Sequence, residues 1–286
     1  MIYRNIDQSK RRYQAWYTSL AELLSETPQE SNLRLIGEGV VDPTRLPKNR
    51  YGVGSAKELD QLILNGWHEG VGIADRLTVE LETPRLKNVR RVKRRGDFGD
   101  SIDMQAVYGG SIDRAWETTR REISISESGS AITLAVELSC SWNYMAHELY
   151  WTGAAAIKLV DALIESGRSV QIIGYLSSTD AFNGQISDAE ICFTAKEYTE
   201  VADISKLMTI LGHAAFYRYY GFRAYAAAPL VVKRNLGLPL YGVLPQMILD
   251  REPVNSIIRV SRVFSQSAAQ QMINWVVSRL RGADAA

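Results

Sequence analysis

Residues 131–138 read AITLAVEL, an apolar run broken only by Thr133 and Glu137. Such a run suits a strand covered on both faces, the usual setting of a parallel strand inside an α/β sheet. Residues 144–166 follow as an alanine-rich helix with Leu149, Ala156, Leu159, Val160 and Leu163 turned inward, and Gly167 marks its stop. Residues 169–176, SVQIIGYL, read as the next strand. A strand, a long helix and a second strand make a βαβ unit, whose crossover is right-handed in nearly all cases. The C-terminal half is therefore expected to be α/β, a mostly parallel sheet with helices on both faces.

Beyond this unit, residues 190–198 give a further strand. Asp203 is placed to cap a helix through Ile204, Leu207, Met208, Leu211 and Ala215 that runs into the aromatic group Phe216, Tyr217, Tyr219, Tyr220, Phe222 and Tyr225. Residues 230–233 and 256–263 are later strand candidates, and residues 268–280 close the chain as an amphipathic helix. Toward the N-terminus, Tyr13, Trp16, Leu20, Leu23 and Leu24 recur at helical spacing, which predicts a helix over residues 9–26. Residues 27–54, rich in proline and glycine, read as an irregular connection. Ser55 and Glu58 form a capping-box pattern before a helix that Gly66 ends, and a second helix is expected from His68 to just before Pro84. The expected organisation is an N-terminal helical region over 1–84, a basic connector over 85–121 and an α/β domain over 122–286.

Composition bounds the function. The 286 residues carry 33 Lys+Arg against 32 Asp+Glu, with 46% hydrophobic residues, enough for a sizeable core and far from a disordered chain. No apolar run approaches the length of about 20 residues that a membrane-spanning helix needs, and MIYRNIDQSKRR lacks a secretory apolar stretch. A host-cytoplasmic or virion protein without membrane contact is expected. Cys140 and Cys192 sit inside apolar strands and read as unpaired thiols of a reducing compartment. His68, His147 and His213 fall in no zinc-ligand spacing, and no Walker A, G-x-S-x-G or G-x-G-x-x-G motif occurs.

The candidate site lies where the first core strand ends, Glu137-Leu138-Ser139-Cys140-Ser141, because open α/β sheets bind ligands at the carboxyl ends of their strands. This segment resembles the von Willebrand factor A superfamily, whose metal-ion-dependent adhesion site begins Asp-x-Ser-x-Ser at that place; here it reads Glu-x-Ser-x-Ser. The resemblance implies a Mg²⁺ site with Glu137, Ser139 and Ser141 as oxygen ligands and Thr179, Asp180 and Asp250 as candidates for the remainder. The alternative is that both serines cap the loop or the following helix and no cofactor is bound. Residues 51–71, 113–121, 131–142, 153–172 and 203–224 together are similar to an uncharacterised family of phage, plasmid and actinobacterial proteins, which implies a mobile-element context and no particular reaction.

The one strong charge block is RLKNVRRVKRR over residues 85–95, in which Arg85, Lys87, Arg90, Arg91, Lys93, Arg94 and Arg95 meet no acid. Clustered cations suit phosphate contacts, while the absence of interleaved aromatics gives no sign of base stacking. The other reading of the block is a solvated face or one that pairs with acidic neighbours. The leading expectation is a non-enzymatic protein that docks a protein partner or further copies of itself, with Trp142, Asn143, Tyr217, Tyr219 and Tyr220 as partner-binding residues. The alternative is a nucleic-acid-binding protein using the basic block; a metal-dependent hydrolase is less favoured, since no general base accompanies the strand end.

Overall fold

The computed structural model describes residues 2–7, 12–26, 42–81, 89–96, 101–102, 104–110, 115–123, 129–141, 143–182, 185–227, 238–239 and 243–284. The chain forms two compact units, one of residues 1–81 with 130–286 and one of residues 82–129. The helices of residues 42–81 thus belong with the α/β core.

In the larger unit, strands β1 (Ile2–Asp7) and β2 (Arg12–Tyr17) precede the short helices α1 (Leu20–Leu24) and α2 (Lys48–Tyr51), then α3 (Ala56–Asn65) and α4 (His68–Ala74). The expected helix over 9–26 is therefore corrected to a strand and a five-residue helix. Every residue from Tyr13 to Tyr17 is buried, Tyr13, Ala15 and Tyr17 on one side of the sheet and Trp16 on the other. Burial on both faces overrides the helical spacing of Tyr13, Trp16 and Leu20. Ser19 then restarts the chain as a helix by accepting a hydrogen bond from the Glu22 N–H. α3 begins as expected, with Ser55 accepting from the Glu58 N–H, and ends at Gly66, whose φ of 83° is a left-handed value that favours glycine. α4 stops at Ala74, well short of Pro84.

The smaller unit contains β3 (Val89–Gly96), β4 (Ser101–Ile102), α5 (Met104–Tyr108) and β5 (Trp116–Ile123). β5 lies between the other two strands, so the residues read as a connector include a three-stranded sheet. β5 runs antiparallel to both neighbours.

The chain continues in the larger unit with β6 (Gly129–Glu137), α6 (Ala146–Glu165), β7 (Arg168–Phe182), β8 (Gln185–Lys196), α7 (Ile204–Gly212), a π-helical turn (Phe216–Gly221), α8 (Phe222–Ala226), β9 (Leu238–Pro239), α9 (Gln246–Leu249), β10 (Ile257–Val260) and α10 (Gln266–Asp284). The strand candidate at residues 230–233 lies outside the described residues.

The main sheet has the order β1-β2-β8-β7-β6-β10, with β9 added to β7. β6 and β10 are parallel, as are β2 and β8. β6 and β7 are parallel as well: Thr133 lies opposite Gln171, and Ser139 accepts a hydrogen bond from the Ser177 N–H. The pairs β1/β2 and β7/β8 are antiparallel. The βαβ unit read from AITLAVEL is present, inside a mixed sheet in which three of the five pairings along β1-β2-β8-β7-β6-β10 are parallel and β9 adds an antiparallel one to β7.

The main core fills the face that carries Ile132, Leu134 and Val136 of β6, together with α6, α7, the π-helical turn and α10. A smaller cluster of Ala135, Ile173, Tyr175, Cys192 and Trp16 occupies the opposite face under Ile248 of α9. Cys140 belongs to the first cluster and Cys192 to the second, so the sheet separates these two free thiols. α6 and α7 cross at Gly153 and Gly212, where a Cβ on Gly153 would stand 2.2 Å from the Gly212 Cα. Two glycines at one crossing allow that approach.

Candidate functional site

β6, β7 and β10 point the same way, and the loop after β6 leaves their shared carboxyl end. The alternation of a strand puts Glu137, Ser139 and Ser141 on one side of the chain. Glu137 is 1% exposed and acts on the buried Tyr175 phenol, which burial and this carboxylate together push up while Arg259 opposes. The Ser139 hydroxyl is buried and accepts the Ser177 N–H at 2.7 Å, carrying the β6–β7 pairing one step past the end of β6. The Ser141 hydroxyl is partly exposed and accepts the Asn143 N–H at 3.3 Å, a local turn. Both hydroxyls thus already accept a backbone donor, Ser139 from the neighbouring strand and Ser141 from its own loop. Among the described residues no group of three His, Cys, Asp or Glu is placed to hold a metal. Thr179 and Asp180 fall within the β7–β8 ladder, opposite Asp188 and Ser187, and Asp250 is exposed and accepts from Gln246. Trp142 lies outside the described residues.

Two arginines that sequence reasoning passed over hold this loop. Arg218, on the π-helical turn and 1% exposed, donates to the carbonyls of Arg50, Ser141 (3.4 Å) and Tyr144 (2.7 Å). Arg50, at the end of α2, donates to the carbonyls of Asn143 (2.6 Å) and Tyr144 (3.2 Å). Tyr217 donates to the Cys140 carbonyl at 2.8 Å, and the Tyr144 ring stacks on Phe264 with centroids 3.8 Å apart. Carbonyls that turn away from a sheet must find donors, and a guanidinium can serve several at once.

The expected partner-binding tyrosines divide accordingly. Tyr217 and Tyr220 are buried, Tyr220 donating to Asp60, so neither is a surface anchor. Tyr219 is half-buried and lies under the Arg223 guanidinium, and Asn143 is exposed. Cys140 offers no activated nucleophile: burial pushes its thiol up, against the lowering effect of Arg262 and Arg218. His213 sits in a cage of Trp67 and Tyr150, with Nδ1 accepting the Ala215 N–H, and burial lowers it to about 4. Among the described residues, no helix is long and apolar enough to cross a membrane.

In the smaller unit, Arg90, Arg91, Lys93, Arg94 and Arg95 all fall on β3; Arg85 and Lys87 lie outside the described residues. The register pairs Arg91 with Arg121, Val92 with Arg120, Lys93 with Thr119 and Arg95 with Glu117. Arg120 and Arg121 are cations that the sequence block did not include. They stand 25 and more residues further on, and only pairing brings them beside β3.

A model of a domain of unknown function, DUF7192, matches residues 5–277 and so runs through both units. The chain belongs to the DUF7192 family. No curated protein and no solved structure matches it. Within the DUF7192 match lie the strand-end loop, both arginines that hold it and the whole basic ladder.

Proposed function

We propose that this protein is a nucleic-acid-binding protein whose smaller unit supplies the contact and whose larger unit is a von Willebrand A-like scaffold. The observation that carries this reading is the register of β3 against β5, which sets Arg91 beside Arg121 and Val92 beside Arg120. Charge on an edge strand discourages unwanted strand pairing. That accounts for cations on β3 and leaves those on the central strand β5 unexplained. Cations on alternate positions of one strand recur about every 7 Å, and a β-ribbon of two strands fits the major groove of a duplex. Phosphate contacts need this density of charge and little exact geometry.

Docking of a protein partner is the second reading, favoured by the strand-end loop, which holds the exposed Asn143 on carbonyls fixed by Arg50 and Arg218. Size-exclusion chromatography with light scattering separates the two. The nucleic-acid reading expects a monomer alone and a complex of higher mass with duplex or single-stranded DNA at low salt. An oligomer whose mass is indifferent to DNA would favour assembly.

A further inference from the structure

Among the described residues, the sheet of the larger unit ends at β1 on one side and at β10 on the other. β10 is four residues long and mostly buried, which leaves it little to offer a partner. β1 is the opposite case. Residues Ile2 to Ile6 are all exposed, with Tyr3 at 46% and Ile6 at 45%. A strand edge presents a row of backbone donors and acceptors, and proteins blunt such edges with lysine, proline, a bulge or a very short strand. β1 runs for six residues, IYRNID, without lysine or proline, and its ladder with β2 has no register shift. Its one cation, Arg4, is answered by Glu26 at 2.5 Å.

A strand of this kind can pair antiparallel with a copy of itself about a two-fold axis. Backbone groups point to the two sides of a strand on alternate residues, so the groups that β1 does not spend on β2 belong to residues of one parity. Two copies joined through those groups must therefore place a residue, and not a peptide bond, on the axis. Centred on Arg4, the pairing would set two like charges face to face, which destabilises a ladder. Centred on Asn5, it sets Asn5 against Asn5, Arg4 against Ile6, and Tyr3 against Asp7 of the second copy.

The register about Asn5 also supplies an acid where the chain presents a cation. Arg251 is exposed, and its guanidinium lies 4.5 Å over the Tyr3 ring and 4.3 Å over the Trp16 ring. Among the described residues these two rings, and no acid, are its side-chain partners. Opposed residues share a face of a sheet, so Asp7 of the second copy arrives beside Tyr3 on the face that Arg251 covers. The axis repeats the contact.

We propose that β1 is a docking edge for a second copy of this chain, paired antiparallel about Asn5 so that the two main sheets become one. Two strands of this length cover little surface beside the roughly 1,200–2,000 Å² of a stable complex, so the pairing is reversible: a dilute chain is a monomer, and copies pair at high concentration.

The test is sedimentation equilibrium of the full chain from micromolar to millimolar concentration, with circular dichroism to show that each variant folds. The weight-average mass of wild type should climb from monomer toward dimer. Ile6→Lys sets a second cation against Arg4 of the other copy, and the axis does so twice, so its dimer should be weaker by about ten-fold. Ile6→Glu meets the same arginine with an acid and should pair more tightly than Ile6→Lys. Cross-linking reads the register: on mild oxidation Asn5→Cys should form a disulfide across the axis much faster than Asp7→Cys, whose two copies stand about 13 Å apart along the strands. Cys140 and Cys192 are buried and do not compete. A chain that stays monomeric throughout, which would leave the edge to an extended segment of another protein, overturns the proposal. Equal dimer strengths for Ile6→Lys and Ile6→Glu, or equal cross-linking at positions 5 and 7, would overturn it as well.

Discussion

Ser139 and Ser141 carry the same hydroxyl two positions apart and do unequal work. Ser139→Ala strips the acceptor from a buried N–H of Ser177, at a cost of about 1–3 kcal/mol, whereas Ser141→Ala loses a turn contact that water can replace, within about 1 kcal/mol. Urea denaturation of the two variants should rank them in that order, and equal losses would mean that Ser139 is not the acceptor described. His213 makes a pH prediction. Its folded value of about 4 lies below the ordinary 6.5, so the unfolded chain binds the proton first as pH falls. Stability should therefore be present above about pH 6.5 and decline through that window, by about 2 kcal/mol at pH 5. His213→Gln should show a flatter decline over the same range in denaturant titrations; an unchanged slope would place the pH dependence elsewhere. At this scale the sequence located the strand-end serines but not what holds them. Arg218 acts on carbonyls 74 and more residues away, and such an approach leaves no local pattern to read.

Among the elements, those with a single dominant signal were legible: AITLAVEL as a buried strand, the alanine-rich helix to Gly167, and the Asp203 cap, which accepts the Lys206 N–H as its position implies. In β2, RYQAWY fits both the helical and the strand period, and only burial on both faces decides for the strand. In the β7–β8 pair the register brings Phe182 against Gln185, and the sequence dipeptide Asn183-Gly184 is a strong hairpin signal that lies outside the described residues. The crossing of α6 and α7 gives a paired prediction. Gly153→Ala puts a methyl into the Gly212 backbone and should destabilise by about 1–3 kcal/mol, despite alanine's better helix propensity. Gly72→Ala on α4 meets nothing within 4 Å and should stabilise by up to about 1 kcal/mol. Calorimetry should show melting temperatures that move in opposite directions; a shared direction would contradict the crossing geometry.

For the whole molecule, a net charge of +1 conceals a division of labour. The sequence showed the cationic block over 85–95 plainly, but as a connector, because a two-sided polar ladder has no apolar alternation to announce its strands. Pairing then adds Arg120 and Arg121 beside the block. Domain boundaries were less legible still, since the first 81 residues join the α/β core through β2 and the helices packed on it. The most direct test of the nucleic-acid account is fluorescence anisotropy of a labelled DNA titrated with wild type and with Arg91→Gln/Lys93→Gln/Arg95→Gln/Arg121→Gln across a salt series, with circular dichroism confirming that the variant folds. Wild type should bind all sequences about equally, with log K falling against log salt at a slope of about −3 to −4 if the four cations each meet a phosphate. The variant should lose most of both the affinity and the slope. Equal affinity and slope for the two folded proteins would contradict the account.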